Sequence, residues 1–215
     1  MNRHPPKRAA GNVLAVRSEP NRMTKPLRVL LLEDSDAGAA LIRDELQRSE
    51  MPAVIKRVDS EATFSAALNG FAPDVVLSVH DLPTLAPQAA LTILRAERPT
   101  TPLIVVADTL DGQQSVACIR RGAEDIIFKP NLARLAESIV GAVTVRQPLE
   151  KLTRRQIEVL RLVSEGHRTR EIASRLGLSV KTVESHRGEV MKRLGLHDVV
   201  SLVRFAMRVG LITAV

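Results

Sequence analysis

Hydrophobic and polar positions follow two different rhythms along the chain. From Leu27 the run LRVLLLED is a short apolar stretch ending in acids, the pattern of a parallel strand covered on both faces. An amphipathic stretch follows, with Ala40, Leu41, Asp44, Glu45 and Leu46, and predicts a helix to about Ser49. VIKRV, PDVVLSV, PLIVVAD and EDIIF are the next strand candidates. Between them Glu61–Leu68, Pro87–Arg98 and Gln113–Arg121 read as helices, and residues 132–145 as a last one. Strand and helix thus alternate five times over about 120 residues. Short apolar strands with helical crossovers predict a doubly wound, five-stranded parallel sheet whose site lies at the carboxyl ends of the strands.

RQPLE, residues 146–150, reads as a short linker, and after it every signal is helical. Thr153 can cap a helix whose apolar positions are Ile157, Val159, Leu160, Leu162 and Val163, ended by Gly166. Thr169 is the expected cap of the next, with Glu171 near its positive end and Ile172, Ala173 and Leu176 facing inward, until Gly177. Ser179 opens another, VKTVESHRGEVMKRLG, with Val183, Val190, Met191 and Leu194 on one side. Two short helices joined by LGLS have helix-turn-helix spacing. The second would present Lys181, Thr182, Glu184, Ser185 and Arg187 away from the core, where such residues reach base edges in a major groove. The expected organisation is a basic mobile tail (1–26), an α/β domain (27–145), the linker (146–150) and a small all-α domain (151–215). The tail, with Pro5, Pro6, Pro20 and Pro26, is either a dispensable extension or an arm touching DNA phosphate.

Charge sharpens the division. The net +7 is distributed unevenly: six Lys/Arg against one Glu in 1–26, eleven against sixteen acids in 27–145, fourteen against seven in 146–215. An acidic middle and a basic end point to two jobs, and a basic module attracts nucleic acid by displacing condensed counterions. Four Phe and no Tyr or Trp argue against stacking on single-stranded bases as a main mode. Cys118 is alone, so neither an intramolecular disulfide nor a cysteine-rich zinc site is expected, and a reducing compartment fits. No apolar run approaches a membrane span and the amino terminus lacks a signal-peptide core, so the expected place is the cytoplasm. No Ser-His-Asp set, phosphate-binding glycine loop or metal-ligand cluster appears; no enzyme activity, cofactor or metal is expected. His186 has no acid or nucleophile spaced beside it and reads as a packing or phosphate-bonding residue. Lys192 and Arg193 read either as a solvated face or as phosphate contacts. Glu184 could accept from a cytosine amino group, since its i+4 neighbour is Gly188.

The stretch LTRRQIEVLRLVSEGHRTREIASRLGLSVKTVESHRGEVMKRLGL closely resembles the DNA-binding domain of LuxR-type regulators, more narrowly NarL/FixJ response regulators. The likeness implies a helix-turn-helix over 168–187 and a last helix, about Val199–Val209, that helps dimerisation. The candidate DNA-contacting residues are Thr169, Lys181, Thr182, Glu184, Ser185, His186, Arg187 and Lys192. Glu184 and Gly188 stand where some relatives carry basic residues, which bears on the preferred DNA sequence.

Residues 27–145 resemble the receiver domain of two-component response regulators. The likeness rests on the fold rhythm, on Glu33 and Asp34, on PDVVLS before Leu82-Pro83, on RRGAEDII and on Lys129-Pro130. It implies a phospho-accepting aspartate after the third strand, a magnesium ion held by the acids after the first, a lysine on the phosphate, and a Ser/Thr and an aromatic that respond. Here the acceptor position is Val79, the Ser/Thr position Ala107 and the aromatic position Ile126. The expectation is a degenerate acidic pocket of Glu33, Asp34, Val79, Ala107 and Lys129, the two acids held by Lys129 without a metal; magnesium would bind weakly at best. A rival reading makes Asp81 a substitute acceptor. Together the resemblances imply a homodimeric regulator of transcription on double-stranded DNA that is independent of phosphorylation. The alternative is an interaction module whose pseudo-receiver binds a signalling partner.

Overall fold

The structure is a computed structural model that describes residues 25–212. Strands β1 (Leu27–Leu32), β2 (Ala53–Val58), β3 (Val75–Val79), β4 (Leu103–Ala107) and β5 (Asp125–Phe128) form one parallel sheet in the order β2-β1-β3-β4-β5. The crossovers are α1 (Asp36–Arg48), α2 (Glu61–Gly70), α3 (Pro87–Glu97) and α4 (Gly112–Arg120). A 3-10 segment over Lys129–Arg134 leads from β5 into α5 (Leu135–Arg146). The doubly wound five-stranded fold read from the sequence is the observed one.

Alternation along each strand builds two apolar layers. Val29, Leu31, Leu77, Val79 and Val106 face α1 and α5, whereas Leu30, Leu32, Val76, Leu103 and Val105 face α2, α3 and α4. All five residues of β3 and of β4 are buried, so both central strands are continuous hydrophobic runs. In α1 the inward face is Ala39, Ile42 and Leu46, with Glu45 also buried. Leu41 of the predicted apolar set is instead exposed, because it lies one residue, or about 100° of rotation, from Ile42.

The carboxyl-terminal helices are α6 (Arg154–Ser164), α7 (Thr169–Leu176), α8 (Val180–Leu194) and α9 (Val199–Arg208). Thr153 caps α6 as predicted: its hydroxyl accepts from Gln156 N–H, and the Gln156 side chain accepts from Thr153 N–H. For α7 the predicted cap is off by one. Arg168 has the extended conformation a cap requires and its N–H donates to Glu171 at 2.9 Å, so Thr169 is the first helical residue. Gly177 and Gly195 end α7 and α8 in the left-handed region.

The predicted linker is not a free connection. Gln147–Lys151 is a 3-10 helix, and Leu149 is buried with Phe205, Ala206 and Val209 in the core of the helical part. Arg146, at the end of α5, is buried and its Nη2 donates to Glu124 Oε2 at 2.5 Å. Arg95 of α3 donates to the carbonyl of Gly210, beyond α9, and to that of Gly122 at 2.9 Å. Arg95 thus fastens the sheet domain to the end of the last helix, and the Arg146 guanidinium packs beside the same Gly210. Among the described residues no helix is long and apolar enough to cross a membrane. Of the predicted basic tail, all but the last two residues lie outside the described residues.

Candidate functional site

Two surfaces collect the residues singled out by the sequence. The first lies at the carboxyl ends of β1, β3, β4 and β5. Glu33 is buried there: its Oε1 accepts from Ser35 N–H at 2.9 Å, and its carboxylate lies against Gly38, where a larger residue would collide with it. Its Oε2 has no hydrogen-bond partner. Burial pushes the Glu33 carboxyl above the ordinary carboxylate range, and the Ser35 N–H and the Lys129 charge pull against that. Asp34 is exposed.

Lys129 does not hold the acidic pair by direct contact, as the sequence had suggested. Its Nζ donates to Asp108 Oδ2 at 2.8 Å. Asp108 follows Ala107 on the loop after β4, so the lysine's nearest anion comes from the neighbouring strand end. The clue was present in the string ADT, but a polar residue just past a strand end is common and carries no marker of its partner. Val79 belongs to the apolar layer against α1 and α5, and Ala107 is wholly buried. Ile126 packs partly buried against the opposite layer.

Asp81 lies beyond the end of β3, and its carboxylate meets His80 Nδ1 at 2.8 Å while the side chain remains 68% exposed. The donor set does not fit a magnesium ion. One oxygen of Glu33 is committed to Ser35, Val79 offers no lone pair, and the described residues contain no group of three His, Cys, Asp or Glu arranged around a point.

The second surface is α8. Val183 and Val190 are buried, and Lys181, Glu184, Ser185, Gly188 and Lys192 are all exposed. These five positions fall at i, i+3, i+4, i+7 and i+11, one stripe of the helix opposite the core. Ser179 caps the helix through Thr182 N–H at 3.0 Å, and the hydroxyls of Ser179 and Thr182 lie 2.8 Å apart, which occupies Thr182 locally.

Arg187 departs from the expected placement. It follows Val183 by four residues and precedes Val190 by three, which sets it about 40° from Val183 around the helix, so it is half-buried on the flank. His186 is half-buried on the other flank. Arg193 is tied down: Nη1 donates to Lys151 O at 2.7 Å and Nε lies 3.7 Å from Glu189, whereas Lys192 projects freely outward. Both members of the pair read as solvated face or phosphate contact are exposed, but only Lys192 is free of side-chain partners among the described residues. Thr169 is half-buried at the start of α7.

Comparison with known proteins matches the two parts of the chain separately. Residues 29–140 match the response regulator receiver domain, and residues 150–206 match the bacterial regulatory proteins of the luxR family. The chain is 34% identical over 117 residues to the uncharacterized response regulatory protein YgeK of Escherichia coli, a match covering 46% of this chain and 80% of that one. It is 31% identical over 122 residues to the transcriptional regulatory protein TdiR of Thauera aromatica, covering 50% of this chain; the match spans about half of TdiR, 54%. Among solved structures, the signal receiver domain of a putative Luxo repressor protein from Vibrio parahaemolyticus superposes with a TM-score of 0.52 at 25% identity, covering 59% of this chain and 95% of that one.

Proposed function

The chain belongs to the response regulators that carry a luxR-family DNA-binding domain, and from that premise we propose that it regulates transcription as a homodimer without being phosphorylated. The observation that carries the reading is Val79. A valine side chain in the apolar layer has no nucleophilic atom, so it cannot accept a phosphoryl group at the position the family uses. Two further features support it. Lys129 is already neutralised by Asp108, and Ala107 has no hydroxyl to follow a phosphoryl group. The degenerate pocket is then Glu33, Asp34, Val79, Ala107 and Lys129, and the site of action is the cytoplasm, where DNA lies.

The DNA-contacting set is Lys181, Glu184, Ser185 and Lys192 on the outer stripe of α8, Thr182, His186 and Arg187 at its flanks, and Thr169 at the start of α7. One such helix reads only a few base pairs, and a two-fold dimer reads two half-sites about one turn apart. Fourteen Lys/Arg against seven acids in 146–215 supply the sequence-independent part of the affinity.

The test is binding of the unmodified full-length protein to a random DNA pool, with and without beryllofluoride and magnesium. Sequence-selective binding that ignores beryllofluoride is expected. Binding that requires it would overturn the reading and direct attention to Asp81. A second reading, in which the sheet domain mainly engages a signalling protein, is favoured by Val116 and Ile119, exposed together on α4. It predicts a pull-down that needs residues 27–145 and not 146–215.

A further inference from the structure

The sheet and the helical part also meet across a cleft of about 620 Å³ between the end of α3 and the start of α6. Five of its lining residues are arginines: Arg95 and Arg98 from one side, Arg154, Arg155 and Arg161 from the other. Two carboxylates, Glu97 and Glu158, face these five arginines. Glu158 is shared by Arg155 at 2.7 Å and Arg154 at 3.6 Å, and Glu97 accepts from Asn69 at 3.1 Å. Arg98 makes no ion pair among the described residues. The Nε of Arg161 is buried without a hydrogen-bond partner and approaches Glu165 only to 3.6 Å.

Positive charge is therefore concentrated beyond what the protein itself offsets. Like charges held together in a half-enclosed space repel, and an anion relieves that repulsion. Guanidinium forks match phosphate oxygens in pairs, which makes arginine the residue for such recognition. Part of the lining is apolar, through Pro99, Ile157, Leu162 and Leu176, so the cleft suits an anion with a carbon body. Its volume lies within the range of small-molecule sites, which favour domain interfaces.

We propose that this cleft binds a phosphate-bearing small molecule of nucleotide size, with Arg98 and Arg161 gripping it from opposite sides. Because the two arginines belong to the two halves of the chain, the ligand ties α3 to α6 and couples its own concentration to their mutual placement.

Calorimetric titration of pyrophosphate and of ATP, both without magnesium, into the full-length protein tests this. One saturable site is expected for ATP, with pyrophosphate competing for it. Arg98→Glu and Arg161→Glu each weaken it by about tenfold or more, as loss of a charge-assisted pair requires. The milder Arg98→Gln keeps the test open if charge reversal disturbs folding, and Arg43→Glu, exposed on α1, leaves binding unchanged. No saturable binding below about 1 mM, or affinity indifferent to Arg98 and Arg161 substitutions in folded protein, overturns the proposal. So does loss of DNA affinity in Arg98→Gln with no ATP site in the wild type, which would assign the cleft to the DNA surface.

Discussion

Glu33 bears its charge in an awkward place. One carboxylate oxygen is satisfied by Ser35 N–H, the other is buried with no partner, and Gly38 alone leaves it room. A carboxyl whose value is raised on folding holds its proton more readily in the native state. Stability therefore falls as pH rises from the ordinary glutamate value through the raised one, and the cost persists at neutral pH. Glu33→Gln keeps the acceptor for Ser35 and removes the charge. At pH 7 it should be more stable than the wild type by about 1 kcal/mol, because the unpartnered buried atom is then a neutral amide nitrogen and no longer a charged oxygen. Thermal melts from pH 7 downward should show the advantage shrinking as the wild-type carboxyl takes up its proton; a constant difference would refute the account. Asp108 is the complementary case, since its carboxylate gives Lys129 a partner within the fold and leaves Glu33 to its own neighbours.

At the scale of elements, α8 shows how a helix separates support from recognition. Val183 and Val190 anchor it on α6 and α7, and the stripe from Lys181 to Lys192 faces the opposite way. Two substitutions distinguish these roles. Lys192→Ala should lower DNA affinity evenly across sequences and reduce the salt slope by about one, as expected for one phosphate contact. It should leave the melting temperature unchanged. Arg187→Ala should weaken DNA binding and also lower stability, because its side chain covers the flank of the helix. Filter binding over a salt series, beside melts of both variants, checks the pair. An unchanged slope for Lys192→Ala would return that residue to the solvated face.

For the whole molecule, the decisive contacts join parts far apart in sequence. Arg95 reaches the carbonyls of Gly122 and Gly210, and Arg146 lies between Glu124 and Gly210. Gly210 has φ of +64°, and a Cβ there would sit 2.6 Å from the Arg146 guanidinium. Gly210→Ala should therefore cost about 1–2 kcal/mol in backbone strain alone, and should also displace Arg146. The expected result is faster proteolysis within Gln147–Lys151 and a larger radius of gyration by small-angle scattering, with the sheet's own unfolding little changed. Proteolysis at the wild-type rate would mean that the arginine clasp does not hold the two halves together.

Much of the fold is legible in the amino-acid sequence itself. Apolar runs of four to six residues between amphipathic stretches sufficed for the five-stranded sheet, because burial on both faces leaves few other arrangements. Local chemistry sufficed for the Thr153 and Ser179 caps and for the buried positions of α8, and the same strings placed Val79 and Ala107 at their strand ends. What stayed hidden depended on pairing across sequence distance or on small rotations. The partner of Lys129 is Asp108, twenty-one residues away, and nothing in either neighbourhood specifies the other. Arg187 moved from face to flank by a few tens of degrees, which periodicity cannot resolve from residue type. The linker became part of a core because Leu149 found Phe205 and Val209. Sequence determines which residues seek burial and where helices start; tertiary packing alone decides which charged groups meet, because an ion pair is set by the positions of whole elements.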